Sequence, residues 1–430
     1  MNCISLNNGK HFYCGDHNLI VNKELIEPLF ELGKWKKKEI KKVNISETTL
    51  ADKVKSLNHL SFEVTQDCPL NCTYCVYGGS YDFHRTPSRK KMALSTGIKG
   101  LDYLMGVIGD REKNRLVALS FYGGEPMANF QLIREIVLYS KKYTKDWEIK
   151  YFMTTNLTIL TDEMIDFLIE NKFKMTISLD GPKEIHDKQR VFHNGLGSHD
   201  IVMKNLERIK NANEMFYLEK ISFNCVFSRD KSLIDVYEFY AKNELVRENN
   251  VRLSSVDPRD SHYYEDIIVD SKRLKEEHSK VLERICQKTA ASDKLLPIDQ
   301  CMLSRFHLVE ELLSLRHLTN LAGSCLFDGK LYLDVDGNFH VCEKINNRFS
   351  YGNVNEGFEF NKMGKMVKDF TAIIDEKCSD CIFNRLCARC FICFAKEGVF
   401  KFDEEFCLER KKTMKANLEN YVMLKSRGVF

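Results

Sequence analysis

No stretch of this 430-residue sequence offers the run of about 18 apolar residues that a membrane helix needs. The opening, MNCISLNNGKHFYCGDH, lacks the apolar core of a secretory signal. Neither sign of charge is in excess. With 64 Lys and Arg against 61 Asp and Glu, the net charge of +3 gives no argument for a nucleic-acid partner. No internal repeat or low-complexity tract is present. These absences lead to the expectation of a cytoplasmic protein with neither a membrane nor a nucleic-acid partner. The local exception is KWKKKEIKK at 34–42. It reads first as a solvated helix face or linker, and more sharply as a contact for an acidic peptide.

Cysteine, by contrast, is abundant. The cytosol keeps thiols reduced, so sixteen cysteines are not expected to form disulfides there. Clustered thiols in that setting point to metal. Three fall at 68–75 and a second crowd runs from Cys325 to Cys407. Cys3, Cys14, Cys225, Cys286 and Cys301 stand apart and read as packed or surface thiols.

The length implies two or three domains. Residues 1–57 form a small leading segment with short strands at HFYC and NLIVN, a helix in KELIEPLFELG, and then the lysine run. From 58 to 300, strands alternate with helices. The strands are predicted at 59–65, 115–124, 148–156, 173–181, 220–228 and 250–256. Between the second and third, Leu132, Ile133, Ile136 and Val137 make one apolar helical stripe. Such alternation implies a parallel sheet, with chemistry gathered at the C-terminal ends of its strands. From 301 to 430 the pattern changes to cysteines, a hairpin-like GKLYLDVDGNFHVC and a final helix, which read as a small metal-stapled domain.

The loop CPLNCTYC places Cys68, Cys72 and Cys75 directly after the first of the six strands. Zinc usually takes four ligands from paired cysteine units. A [4Fe–4S] cube normally takes four cysteines, so three leave one iron open to a ligand. The spacing C-x3-C-x2-C, with the aromatic Tyr74 before the third cysteine, resembles the cluster loop of radical S-adenosylmethionine (radical SAM) enzymes. The resemblance implies that the open iron is chelated by the amino and carboxylate groups of S-adenosylmethionine, which an electron cleaves to a 5′-deoxyadenosyl radical. It extends over about 58–260. YGGEP at 122–126 matches the segment that binds the cofactor's amino group: Gly123 and Gly124 permit close approach, Glu125 offers an anion to an ammonium, and Pro126 follows. TTN at 154–156 supplies Asn156, with Leu157 where the family often has glycine. In SLDGPKEIHDKQR, Ser178 would contact the ribose side and Arg190 the carboxylate, while His186 and Asp187 would fix the loop.

The second crowd resembles the SPASM domain, which carries two auxiliary [4Fe–4S] clusters. By that resemblance one cluster takes Cys325, Cys342 and Cys390, the other Cys378, Cys381, Cys387 and Cys407. The family's last spacing falls on Phe391, so Cys390 stands in for it. The first auxiliary cluster is then short of one ligand. The favoured expectation is an iron open to the substrate's thiolate, with Cys393 or, more weakly, Cys301 as the alternative fourth ligand. The fold implied is a partial (β/α)6 TIM-like barrel with a C-terminal SPASM domain and a small N-terminal segment, holding S-adenosylmethionine and three [4Fe–4S] clusters.

The extension implies a peptide substrate and an electron donor such as flavodoxin or ferredoxin. Two subclasses compete, the thioether-forming maturases of ribosomally made peptides and the formylglycine-generating sulfatase maturases. The latter commonly carry Asp after the second hairpin cysteine. Here Glu343 stands there, as in maturases of cysteine-rich peptides, and is also a candidate base. Residues 1–57 sit where peptide maturases carry a winged-helix leader-recognition unit, although a structural cap fits as well. A non-catalytic iron–sulfur protein is the remaining alternative.

Overall fold

A computed structural model describes residues 3–25, 42, 45–78, 81, 88–109, 115–257, 261–314, 325–345 and 347–430. Its centre is an eight-stranded sheet. We number the strands β1 (Cys3–Leu6), β2 (His11–Cys14), β3 (Leu19–Asn22), β4 (His59–Thr65), β5 (Leu116–Gly123), β6 (Glu148–Thr155), β7 (Lys174–Ser178), β8 (Ile221–Phe227), β9 (Val251–Ser255), β10 (Lys330–Leu333) and β11 (Phe339–His340). The large sheet runs β11-β10-β4-β5-β6-β7-β8-β9. β4 to β9 are parallel and lie in sequence order, as successive crossovers of one hand require. All six predicted barrel strands are present within two or three residues of their expected ends.

Side chains alternate along these strands. One face carries Leu60, Phe62, Val64, Phe121, Met153, Ile177 and Phe223, all in the buried core under the helices. Phe121 stacks 5.6 Å from Phe62 and lies 5.8 Å from Phe173. The predicted stripe of Leu132, Ile133, Ile136 and Val137 is buried against it on helix Phe130–Ser140. The other face carries Tyr122, Thr154, Thr176, Ser178, Ser222, Asn224 and Ser254 and lines a cavity of about 610 Å³. The barrel is thus apolar outside and polar within, unlike one filled by layers of branched side chains.

The hairpin expected in the cysteine-rich region forms, but it joins the barrel sheet. β10 pairs parallel with β4, Lys330 opposite His59 and Leu333 opposite Phe62, and so covers an edge that would otherwise expose unpaired backbone. On the other side, helix Pro297–Ser314 runs across the expected boundary at 300/301. It is tied to the barrel by Tyr237 Oη donating to Asp299 (2.6 Å) and by the Leu253 N–H to Cys301 Sγ (3.3 Å). The thin core of the C-terminal region is largely aromatic, with Phe391 4.9 Å from Phe370 and 5.6 Å from Phe400.

The N-terminal strands form an antiparallel sheet, β1-β2-β3. Cys3 and Cys14 stand directly opposite across β1 and β2, with Cα atoms 4.2 Å apart, and form a disulfide. This corrects the expectation that both are lone thiols: the hairpin brings together residues that composition alone kept apart. The sheet packs on the cysteine-rich region, Tyr13 stacking on Phe383, and is held by Asn18 Nδ2 donating to the Leu312 carbonyl (2.7 Å). Apart from Lys23–Leu25 and Lys42, the expected helix at 23–33 and the lysine run at 34–42 lie outside the described residues. No helix among the described residues is long and apolar enough to cross a membrane.

Candidate active site

The loop after β4 is fastened to the segment after β7. The Asn71 and Thr73 N–H groups donate to the carbonyls of Val191 (2.7 Å) and Gln189 (3.0 Å). Within it, Cys75 N–H donates to Cys72 O and Gly78 N–H to Cys75 O, so two tight turns aim the thiols. Cys68, Cys72 and Cys75 all border the large cavity. Burial pushes all three thiols up, Cys72 to about 12. As free thiols they stay protonated, and a bound metal centre must displace those protons. Among the described residues no three Cys, His, Asp or Glu side chains converge closely enough to share one ion. Three thiols on one cavity would leave a [4Fe–4S] cube with one iron to be held by another group.

Gly123 and Gly124 are required by close approach, but to protein backbone. A Cβ on Gly123 (φ +135°) would lie 2.1 Å from the Thr65 carbonyl oxygen, and one on Gly124 2.4 Å from that of Asp67. Without side chains there, the Gly124 and Glu125 N–H groups bond Thr65 O and Asp67 O at 2.8 Å each. The two residues dock the end of β5 onto the approach to the cysteine loop. The Glu125 side chain, expected to meet an ammonium, also has partners in the protein. Its carboxylate is fully buried and accepts from Thr155 Oγ1 (2.6 Å), Asn156 N–H (2.7 Å) and Met127 N–H (3.0 Å). Burial nonetheless pushes this carboxyl up to about 7. Glu125 braces the ends of β5 and β6, and Pro126 starts the following turn with its fixed φ. The cavity wall at this point is the glycine backbone.

Asn156 bridges both parts. Its Nδ2 lies 3.5 Å from Cys68 Sγ and its Oδ1 accepts from Thr158 (2.7 Å). Leu157, where the family often has glycine, has φ +58° and is fully buried. A leucine holds the left-handed conformation that suits glycine, fixed by its N–H to Thr155 Oγ1 (2.9 Å) and by Asn205 Nδ2 to its carbonyl (2.9 Å).

Ser178 and Arg190 both border the cavity. Arg190 is held by Asp180, a residue that motif reading passed over. Asp180 Oδ2 accepts from Arg190 Nε (2.9 Å) and from Tyr74 Oη, and its Oδ1 from the Val226 N–H (2.9 Å). The guanidinium lies 5.4 Å from the Tyr74 ring centroid. Asp180 therefore joins the aromatic residue of the cysteine loop to the expected carboxylate-binding arginine. The only sequence signal was an acidic residue at a strand end before Gly-Pro. His186 and Asp187 fix the loop as expected: His186 Nδ1 accepts the Asp180 N–H (3.2 Å) and Asp187 the His199 N–H (2.8 Å).

The second crowd separates into two groups. Cys378, Cys381, Cys387 and Cys407 line one small cavity, bordered also by Cys393. Cys390 lies close enough to Cys342 for their charges to interact, and its Sγ is 3.9 Å from that of Cys393. Cys325 and Cys342 both neighbour Tyr351. Cys301 is elsewhere, under β9. Glu343 borders the large cavity but is paired with Lys330. Burial pushes this carboxyl up, and Lys330 outweighs that and holds it below its ordinary value. Because Lys330 pairs with His59 at the start of β4, Glu343 sits where the strands begin. The thiols of the 68–75 loop sit where they end. The candidate base is thus an ion-paired carboxylate at the opposite end of one passage.

Residues 62–218 match the radical SAM superfamily. The chain carries a radical SAM domain. It is 33% identical over 219 residues to a cysteine-type anaerobic sulfatase-maturating enzyme of Clostridium novyi, an alignment covering 49% of this chain and 55% of that protein. It is 25% identical over 338 residues to the enzyme of that name from Clostridium perfringens, covering 74% and 84%. The match to the first relative thus spans only about half of that protein's length. The fold superposes on native anSMEcpe with bound AdoMet with a TM-score of 0.64 at 18% identity, over 86% of this chain and 99% of that one. The radical SAM barrel is the fold inferred from the six strands.

Proposed function

We propose that this radical SAM enzyme matures a cysteine-bearing peptide by joining a cysteine sulfur to another residue's carbon. The observation that carries the reading is a polar passage that runs through the barrel. One end is walled by Cys68, Cys72, Cys75 and the two glycines, the other by Glu343, Lys344 and Cys393 of the cysteine-rich region. A passage with chemistry-bearing residues at both ends suits an extended substrate that presents two reacting positions. In this reading Cys68, Cys72 and Cys75 hold a [4Fe–4S] cluster, and Gly123, Gly124, Asn156, Ser178 and Arg190 border its S-adenosylmethionine. When bound and reduced by a flavodoxin or ferredoxin, that pair supplies the radical that removes a hydrogen atom. The chain's own residues position substrate and exclude water: Asp180 holds Arg190 in a fixed direction, and the buried outer core keeps the barrel wall rigid. Cys325, Cys342 and Cys390, and Cys378, Cys381, Cys387 and Cys407, hold two auxiliary clusters.

Formylglycine formation is the second reading, favoured by the names of the clostridial relatives. Anaerobic turnover of reconstituted protein with a cysteine-rich precursor encoded beside its gene separates the two. A cross-link lowers the mass by about 2 Da per bond and removes one alkylatable thiol, whereas cysteine to formylglycine lowers it by about 18 Da and creates an aldehyde. Failure to form 5′-deoxyadenosine from fully loaded protein would overturn both and leave an iron–sulfur binding protein.

A further inference from the structure

The end of the barrel where the strands begin is ringed by cations. Lys150 on β6, Lys174 on β7, Arg252 on β9 and Lys330 on β10 share the inward register of Thr154, Thr176, Ser254 and Tyr332. Lys344 follows β11 and borders the same passage, as does Arg252. Two carboxylates answer them, Glu148 to Lys150 (3.0 Å) and Glu343 to Lys330. Lys174, Arg252 and Lys344 are exposed and have no ion pair among the described residues. Lys174 is 6.0 Å from the Phe152 ring centroid, which leaves its ammonium at the rim. His59, on the same face, is pushed down to about 4 by burial and then by Lys330, and so carries no charge at neutral pH. Of the other acids bordering the passage, Asp403 caps helix Glu404–Ser426 by accepting the Phe406 N–H (2.8 Å), and Asp257 lies beyond the far end of β9.

The net balance of this chain is nearly neutral, so three exposed cations at one mouth, with no ion pair among the described residues, are a local feature. We propose that this mouth admits an acidic segment of the substrate peptide. Its Asp or Glu side chains meet Lys174, Arg252 and Lys344 as the cysteine-bearing stretch advances into the passage. The proposal rests on the reading that the substrate is a peptide. Low-dielectric walls strengthen such attraction and steer encounter, and it weakens with salt.

The test uses AdoMet-loaded holoenzyme and three fluorescein-labelled peptides of one sequence, with a cysteine flanked by four Glu, four Gln or four Lys. Fluorescence anisotropy should rank Glu over Gln over Lys, with about tenfold between Glu and Gln at low salt, since each exposed pair is worth a few-fold in affinity. The preference should shrink toward unity in 0.5 M salt, and in the Lys174→Glu/Lys344→Glu variant should fall or reverse while iron content shows that the variant folds. Equal binding of the Glu and Gln peptides, binding of none of them, or an unchanged preference in the variant overturns the proposal. Acidic preference together with a native precursor left unmodified under reducing turnover would sustain this mouth and defeat the cross-linking reading. A modified peptide with no charge preference would do the reverse.

Discussion

Asp180 and Arg190 are the buried ion pair on which the site's geometry turns, and their coupling is measurable. The Asp180 side chain is fully enclosed and that of Arg190 is 7% exposed. Desolvation alone would lower the arginine's pKa, yet the adjacent Asp180 carboxylate holds it well above its ordinary value. Asp180→Ala strands a guanidinium, the Tyr74 hydroxyl and the Val226 N–H. Arg190→Met strands a carboxylate. Breaking one side of a buried pair costs about 3–5 kcal/mol, so each single variant should lose about that much. The double variant removes both charges and should cost well under the sum, with a coupling of about 2–3 kcal/mol. Urea unfolding of the metal-free protein can follow Trp147, a buried reporter in the barrel layer, after Trp35→Phe silences the second of the chain's two tryptophans. Additive losses, or either single loss below about 0.5 kcal/mol, would refute a mutually compensating pair.

Four further outcomes are expected. Gly124→Ala should drive a Cβ toward the Asp67 carbonyl and displace the cysteine loop; about four of about twelve irons should be lost, and a full complement would show that the loop tolerates the shift. Leu157→Gly relieves a left-handed backbone worth about 1 kcal/mol but empties a buried leucine site worth about 3–5 kcal/mol, so the protein should be less stable; a higher melting temperature would show that strain dominates. Cys393→Ala should leave iron content and cluster spectra nearly unchanged, with a substrate thiol perturbing them, as an open iron on the first auxiliary cluster requires; loss of that cluster would make Cys393, 3.9 Å from Cys390, its fourth ligand. The Glu125 carboxyl is raised by burial from 4.5 to about 7, so its folded form favours the proton and stability should decline from about pH 4.5 up to about 7, by about 3 kcal/mol at 1.4 kcal/mol per unit; Glu125→Gln should flatten that decline, and an unchanged pH profile would locate the effect elsewhere.

The six barrel strands were legible because each is a short β-branched or aromatic run, four of them with a motif at the end, and local periodicity suffices to read it. The cysteine loop and GGEP were legible as chemistry, yet the burial of the Glu125 side chain and its partners on β6 were not. Whether a carboxylate faces a void or the backbone of a neighbouring strand depends on the register of β5 against β6, which no local window contains. Asp180 was missed for the same reason. Its three donors come from residues 74, 190 and 226, far apart in the chain. The Cys3–Cys14 pair escaped because a prior on the compartment was applied to residues that only a hairpin makes adjacent.

The pairing of β10 with β4 has a consequence for how the two groups of thiols are held in relation. β4 leads directly into Cys68, and β11, the antiparallel partner of β10, leads into Cys342. The two groups are therefore joined by a continuous backbone ladder, with no flexible linker between them. A slip of one residue in the β10 register would invert its faces. Tyr332 would leave the interior, where its hydroxyl meets that of Tyr77 (3.2 Å) in the cysteine loop, and Lys330 would leave Glu343. Leu333 would turn from the core toward the polar passage. The apolar packing outside the barrel and the polar contacts inside it thus specify the same register. The separation between the two ends of the passage is accordingly a property of the sheet, and a substrate long enough to reach both ends must match it.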